Sequence, residues 1–180
     1  GSTMESLAAY ASNRWRWSRL SLDAGLRYSA FDIRLPATAE VAAVRLTPSD
    51  FTGDIHLAYE LRPGLKLLSN IGRGFRPPNI FDLGTLGNRP GNRFNIPNPD
   101  LDSERVVQFD AGVRYNGNRA QFELMLYTLD YTDRITSVLT GEVTPEGRDI
   151  VQSVNAADST VRGFEGGASF ELSATMSLEA

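Results

Sequence analysis

Residues 19–30 read RLSLDAGLRYSA, and their spacing decides the fold. Leu20, Leu22, Ala24, Leu26, Tyr28 and Ala30 take the even positions, while Arg19, Ser21, Asp23, Arg27 and Ser29 fall among the odd ones. Successive side chains of a β-strand point to opposite faces, so this stretch is a strand with one apolar and one wet face. The pattern recurs. Phe51, Ile55, Leu57, Tyr59 and Leu61 oppose Thr52, Asp54, His56 and Glu60. Val107, Phe109, Ala111, Val113 and Tyr115 oppose Gln108, Asp110 and Arg114. Ala120, Phe122, Leu124 and Leu126 oppose Gln121 and Glu123, although Met125 and Tyr127 make that wet face less polar. Phe164, Ala168, Phe170 and Leu172 oppose Glu165, Ser169 and Glu171.

The connections differ in length. Arg62-Pro63-Gly64 and Asn116-Gly117-Asn118 have the chemistry of tight turns, whereas residues 32–50, 76–103 and 139–157 form long connections. A transmembrane barrel has this asymmetry, with short turns at one rim, long loops at the other and strands that are apolar outward and polar inward. A soluble antiparallel sheet with one solvated face gives the same alternation, so periodicity alone leaves both open. Trp15 and Trp17, beside a tight turn, suit an interfacial aromatic girdle or an anchor in a soluble sheet. No stretch approaches the roughly 20 apolar residues of a membrane helix, so a membrane would be crossed by strands.

Composition adds exclusions. The net charge of −4 and the lack of a basic block argue against nucleic acid as a partner. The 180 residues include no cysteine, which removes disulfides and thiolate metal sites. His56 is the single histidine and has no identifiable nucleophile beside it. Glu123 and Glu165 have no defined separation as a glycosidase pair, so no enzyme activity is expected.

Gly72-Arg73-Gly74-Phe75-Arg76-Pro77-Pro78, followed by Asn79-Ile80-Phe81-Asp82-Leu83, resembles the entry to an extracellular loop in the barrel of TonB-dependent receptors. Asn98-Pro99-Asp100-Leu101, with Glu104 after it, resembles the same family's asparagine-proline-x-leucine box. Residues 127–135 (YTLDYTDRI) resemble the next strand-to-loop passage, and Asn155 through Arg162-Gly163-Phe164-Glu165 the returning strand. The four fall in the family's order, and the likeness as a whole extends over most of residues 5–175.

The resemblance implies an all-β, antiparallel transmembrane β-barrel. The chain is expected to supply a fragment of about seven strands of a 22-stranded barrel, from its C-terminal part. On this view residues 1–180 are a partial barrel domain, cut at both ends, with the plug domain and terminal strands absent. The implied setting is the bacterial outer membrane, in contact with its lipid. The implied function is ligand-gated uptake of a scarce nutrient, a ferric siderophore or similar metal chelate, energised by an inner-membrane TonB energy-coupling protein through the missing plug. An ungated porin-like barrel and a soluble β-rich binding module are the alternatives.

Arg76, Arg89, Arg93 and Arg105 are candidates to grip anionic groups of a chelate, with Phe81 and Phe94 as aromatic contacts. The plainer expectation is that the arginines pair with Asp82, Asp100, Asp102 and Glu104 to shape the loop, and that the two rings pack within it. The paired prolines Pro77 and Pro78 are expected to end a strand. Asn98, Asp100, Asp102 and Glu104 place oxygens at every second residue, as calcium loops do, but without the glycine such a loop needs. No cofactor or metal site is therefore expected. Some haem-importing family members carry a histidine between the two boxes; residues 79–97 contain none, which disfavours haem.

Overall fold

The computed structural model describes residues 1–38, 42–83, 87–156, 158–173 and 176–179. The regular elements there are all β-strands: β1 (Thr3–Arg16), β2 (Leu20–Leu35), β3 (Val44–Leu46), β4 (Ser49–Arg62), β5 (Leu65–Arg76), β6 (Asn88–Arg89), β7 (Arg93–Ile96), β8 (Glu104–Asn116), β9 (Ala120–Thr132), β10 (Ile135–Val143), β11 (Asp149–Asn155), β12 (Ser159–Ser173) and β13 (Met176–Glu179). One nine-stranded sheet forms a wall in the order β1-β2-β4-β5-β8-β9-β12-β13, with β3 set against β2. All its pairings are antiparallel. A second sheet, β10-β11-β7-β6, is built from the long connections.

Register keeps the alternation in phase across the wall. Trp15, Leu22, Leu57, Ser69, Ala111, Leu126 and Phe164 lie opposite one another in one row. The adjacent row on the other face is Arg14, Asp23, His56, Asn70, Asp110, Tyr127 and Gly163. A one-residue slip would exchange the faces, so matching patterns on seven strands specify the pairing. The first face remains open: Phe164 is 74% exposed and Leu126 59%, with Leu26, Phe51, Ile55 and Phe109 also exposed. A contiguous apolar face of this extent needs a partner phase, and hydrocarbon supplies it. From Leu20 to Ala30 the chain advances about 33 Å, and a tilt of about 40° turns this into a rise of about 25 Å, the height of a barrel's apolar band.

The wet face of β9 shows why Met125 and Tyr127 stand where polar residues were expected. Gly112 lies opposite Met125, and Gly163 lies opposite Tyr127. A Cβ on Gly163 would come within 2.4 Å of the Tyr127 hydroxyl oxygen, so the bare backbone is the space that the ring occupies. The glycine of the Arg162-Gly163-Phe164-Glu165 segment is a packing requirement of its neighbour strand.

The buried core is small and sits at the loop rim. Ile33, Leu35, Val44, Leu83 and Leu101 form it, with Phe31, Leu46, Ile80 and Ile135 packed against it. Three stretches expected to be long loops hold more strand than their sequence suggested. β2 continues to Leu35 and β4 begins at Ser49, and between them β3 pairs back onto the end of β2. The connections after β5 and β9 contribute β6, β7, β10 and β11. Residues 39–41, 84–86 and 157, also within these stretches, lie outside the described residues. β1 was the least legible strand, because its outward row mixes Leu7 and Trp15 with Ala9, Ala11 and Asn13.

Candidate functional site

The two boxes of the long connection are fastening devices. β5 ends at Arg76, where Pro77 and Pro78 withhold the N–H groups that would continue the ladder. The side-chain oxygen of Asn79 then accepts from the backbone N–H of Phe81 (2.8 Å) and Asp82 (2.9 Å). Asp82 accepts in turn from the Asn79 N–H (2.9 Å) and from Arg76 (2.8 Å). This closed turn delivers Leu83 to the core, fully buried. In the second box Asn98 accepts from the Asp100 N–H (3.0 Å) and donates to the Ser153 carbonyl (2.9 Å). Leu101, 5% exposed, plugs into the same core. Glu104 completes the fastening: one oxygen accepts from Arg76 Nε (2.7 Å) and the other from the Ile135 N–H (2.7 Å).

These bonds set the charge state at the rim. The hydrogen bond from Arg76 and that from the Ile135 amide hold the Glu104 carboxyl below the usual carboxylate range against the opposing effect of burial. Asp32, bonded by Arg34 (2.5 Å) and Arg45 (2.8 Å), is likewise held well below that range. Both carboxylates stay ionised at neutral pH.

The two long connections are zipped into one body. Arg93–Ile96 of β7 runs parallel to Asp149–Gln152 of β11. Gln152 donates to the Pro97 carbonyl (2.9 Å). Asn155 accepts from the Asp102 N–H (2.9 Å) and donates to the carbonyls of Asp102 (3.0 Å) and Asp133 (2.7 Å). Its amide thus joins the second box to the end of β9. Asn95 is fully buried; with its carboxamide turned to suit its neighbours, the nitrogen donates to the Val151 carbonyl (2.9 Å) and the oxygen accepts from Arg89 Nη2 (3.2 Å).

The six candidate residues divide sharply. Arg76 is committed to Glu104 and Asp82, and Arg105 to Asp50 (3.1 Å) and Asp133 (3.0 Å). Both serve the loop's architecture. Arg89 and Arg93 lie directly opposite each other on the β6–β7 hairpin, and neither holds a carboxylate among the described residues. Arg89 Nε is buried without a hydrogen-bond partner. Arg148, bonded to the side chain of Asn88, brings a third cation to the hairpin in the row of Phe94. Phe94, in the same hairpin, is half-buried between Asn88 and Ile150. Phe81 projects from the Pro-Pro turn, 63% exposed. The structure therefore brings Arg89 and Arg93 together on one face of the hairpin, with Phe94 in the row of the other face, and sets Arg76 and Arg105 apart from them as fasteners.

Sequence reasoning passed over Asp50, Asp133 and Asn155, which organise the rim. Asp50 takes both Arg73 (2.8 Å) and Arg105, and Asp133 adopts a left-handed φ of 57° where β9 turns towards β10. Asn155 and Asp133 each fell inside a segment of family resemblance, and Asp50 had no signal. Below the rim, the wet face forms an open groove of about 630 Å³ with Arg27, Asp54, His56, Asn70 and Gln108 among its lining. His56 Nε2 lies 3.0 Å from Asp54, and Asn70 donates to Asp110 (2.8 Å). His56 is thus a wall residue bonded to its neighbour. Among the described residues no group of three or more His, Cys, Asp or Glu is placed to hold a metal ion.

Over residues 1–179 the sequence matches the family described as TonB dependent receptor-like, beta-barrel. No curated protein matches it. Among solved structures, the copper transporter OprC aligns with a TM-score of 0.77 at 22% identity, covering 96% of this chain and 27% of that one. The Serratia marcescens hemophore receptor HasR, solved with its hemophore HasA and heme, gives a TM-score of 0.80 at 17% identity, covering 93% of this chain and 32% of that one. The FrpB iron transporter from Neisseria meningitidis (F3-3 variant) gives 0.72 at 17% identity, covering 96% and 24%. The chain spans about a quarter to a third of the length of these structures, and at such identities the likeness establishes the fold. The match over residues 1–179 and the in-phase antiparallel wall agree: the chain belongs to the TonB-dependent receptor family and forms part of the wall of its β-barrel.

Proposed function

We propose that the chain is part of a bacterial outer-membrane receptor for ligand-gated uptake, and that its ligand is a ferric siderophore or a similar anionic metal chelate. The chemistry is binding and passage, as the receptors and transporters of this family perform, and not covalent catalysis. In this reading a plug domain elsewhere in the receptor closes the barrel and meets an inner-membrane TonB protein.

One observation carries the ligand class. Like charges directly opposite each other in a sheet repel, yet Arg89 and Arg93 face across the hairpin with no carboxylate between them. Five other arginines of the rim, Arg34, Arg45, Arg73, Arg76 and Arg105, each hold a carboxylate, which this facing pair lacks among the described residues. An anion bound by both guanidiniums relieves the repulsion and takes charge-assisted hydrogen bonds from each.

The test uses the full-length receptor and a panel of ferric tris-catecholate, ferric hydroxamate, ferric citrate and haem, with binding and energy-dependent uptake measured together. R89Q/R93Q is expected to weaken binding of the best chelate by about 10–100-fold, the worth of losing charge-assisted hydrogen bonds. R114Q, near the turns at the other rim, leaves it unchanged. Undiminished affinity in the double variant removes the hairpin from the site. Passive diffusion of all four without saturation supports a porin-like barrel instead.

A further inference from the structure

The wet face near the short turns carries both paired and unpaired cations. Arg14 holds Asp23, and Arg114 holds Glu123 (2.5 Å). Arg16, Arg19 and Lys66 are exposed and hold no carboxylate among the described residues. Register places all three on this face. Arg16 lies opposite Ser21, and Ser21 opposite Ala58, in the row two residues beyond that of Arg14, Asp23 and His56. The following row runs Glu60, Lys66, Arg114 and Glu123. Arg19 extends it, because its carbonyl accepts from the Glu60 N–H (2.7 Å).

On β1, β2, β4 and β5 these rows and the turn beside them thus set Arg14, Arg16, Arg19 and Lys66 against Asp23 and Glu60, a surplus of positive charge. Lys66 also faces Arg114 directly, and like charges so placed repel unless an anion lies near. Glu60 stands between Arg19 and Lys66 yet forms an ion pair with neither. The surplus is local, because the same face of β12 carries Glu165, two residues beyond Gly163 in the wet row. Between the three unpaired cations lies an open pocket of about 260 Å³, with Ser21 and Ala58 in its lining. Their small side chains leave room for a polypeptide backbone against the wall.

We infer that this pocket docks an acidic segment of polypeptide inside the barrel, with its carboxylates on Arg16, Arg19 and Lys66. The spacing favours a peptide over a small anion. Arg19 and Lys66 stand two strands apart, about 10 Å, and Arg16 and Lys66 three strands and two residues apart, about 16 Å. A single carboxylate or phosphate satisfies three cations so spaced only by drawing their side chains together. An extended segment with carboxylates at alternate positions, about 7 Å apart, meets them one by one. The inference rests on the reading that a plug domain closes the barrel, and it names a surface that the plug meets and the charge it brings there.

Lys66 is the single lysine of the chain, which gives the test one address. The full-length receptor in detergent is treated with a carbodiimide, which joins the Lys66 amine to a touching carboxylate as an amide and takes up the released water to become a urea. No spacer enters, so a product requires contact. Digestion and mass spectrometry are expected to find Lys66 joined to an aspartate or glutamate of the plug. R16Q/R19Q is expected to lower that yield by about fivefold while keeping the heat-modifiable mobility of a folded barrel, and salt at about 0.5 M to lower the wild-type yield as well. Should the double variant fail to fold, R16Q and R19Q singly are each expected to lower the yield in part. Lys66 joined only to Glu60, joined to a separate protein, or left unreacted overturns the inference, as does a yield indifferent to the arginine substitutions. Failure of the underlying reading is a different result, a full-length chain with no domain to close the barrel, whereas a plug that is present but never joined to Lys66 refutes the docking surface alone.

Discussion

Ile55→Arg is expected to destabilise the receptor in lipid by about 2–4 kcal/mol, the cost of a cation near the bilayer midplane on the outer face of a barrel. Ile55 lies midway between Phe51 and Tyr59 on β4, in the row of Ala24, Ile71 and Phe109, and is 49% exposed. An arginine here finds no carboxylate in its row and must stretch past Phe51 or Tyr59 to reach water. His56→Arg, one residue along, is expected to cost less than about 1 kcal/mol, because its neighbours across the ladder are Asp23 and Asn70 on the wet face. Reversible urea unfolding from vesicles reads both values. Equal costs would remove the distinction between the faces.

Leu101→Ala has the second large effect, and its location distinguishes it. The side chain is 5% exposed and fills a core shared with Ile33, Leu35, Val44 and Leu83. Truncation leaves a cavity in a cluster too small to collapse around it, at a cost of about 2–5 kcal/mol. The ladders of β4, β5 and β8 contain none of these core residues, so the loss is felt as local opening of the loop body. Amide exchange across residues 79–83 and 98–103 is expected to accelerate by about 30-fold or more, while β4, β5 and β8 keep their protection. Exchange unchanged in those segments would show that the hydrogen bonds of Asn79, Asn98 and Asn155 hold the loops without the core.

The wall was legible because its information is local. In Leu20–Ala30, Phe51–Leu61 and Val107–Tyr115 the two-residue period gives strand, face and register together. Turn chemistry at Arg62-Pro63-Gly64 gave the connection, where Gly64 adopts a left-handed φ of 82° that a side chain would resist. The loop sheet was not legible, because nothing in Arg93–Ile96 announces a parallel partner more than fifty residues away at Asp149–Gln152. Parallel pairing places no alternating signature on strands this short. The division among the arginines was hidden for a similar reason. Arg76 and Arg89 look alike in a loop rich in proline, glycine and asparagine, and the difference lies in Glu104 and Asp82 reaching one and not the other. The family's two boxes were read as marks of resemblance; the structure gives their physical work, which is to place Leu83 and Leu101 in one core and to lock Arg76 against Glu104.

Spin labels placed singly at Leu57 and His56 in the full-length receptor, reconstituted in lipid vesicles, test the central claim most directly. Molecular oxygen concentrates in hydrocarbon, and a water-soluble nickel chelate stays out of it. The label at Leu57, in the row of Leu22, Leu126 and Phe164, is predicted to collide often with oxygen and rarely with nickel. The label at His56, in the row of Asp23, Asn70 and Asp110, is predicted to show a much lower oxygen-to-nickel ratio. Matching ratios at the two adjacent positions would contradict a wall with one face in lipid and the other lining a polar interior.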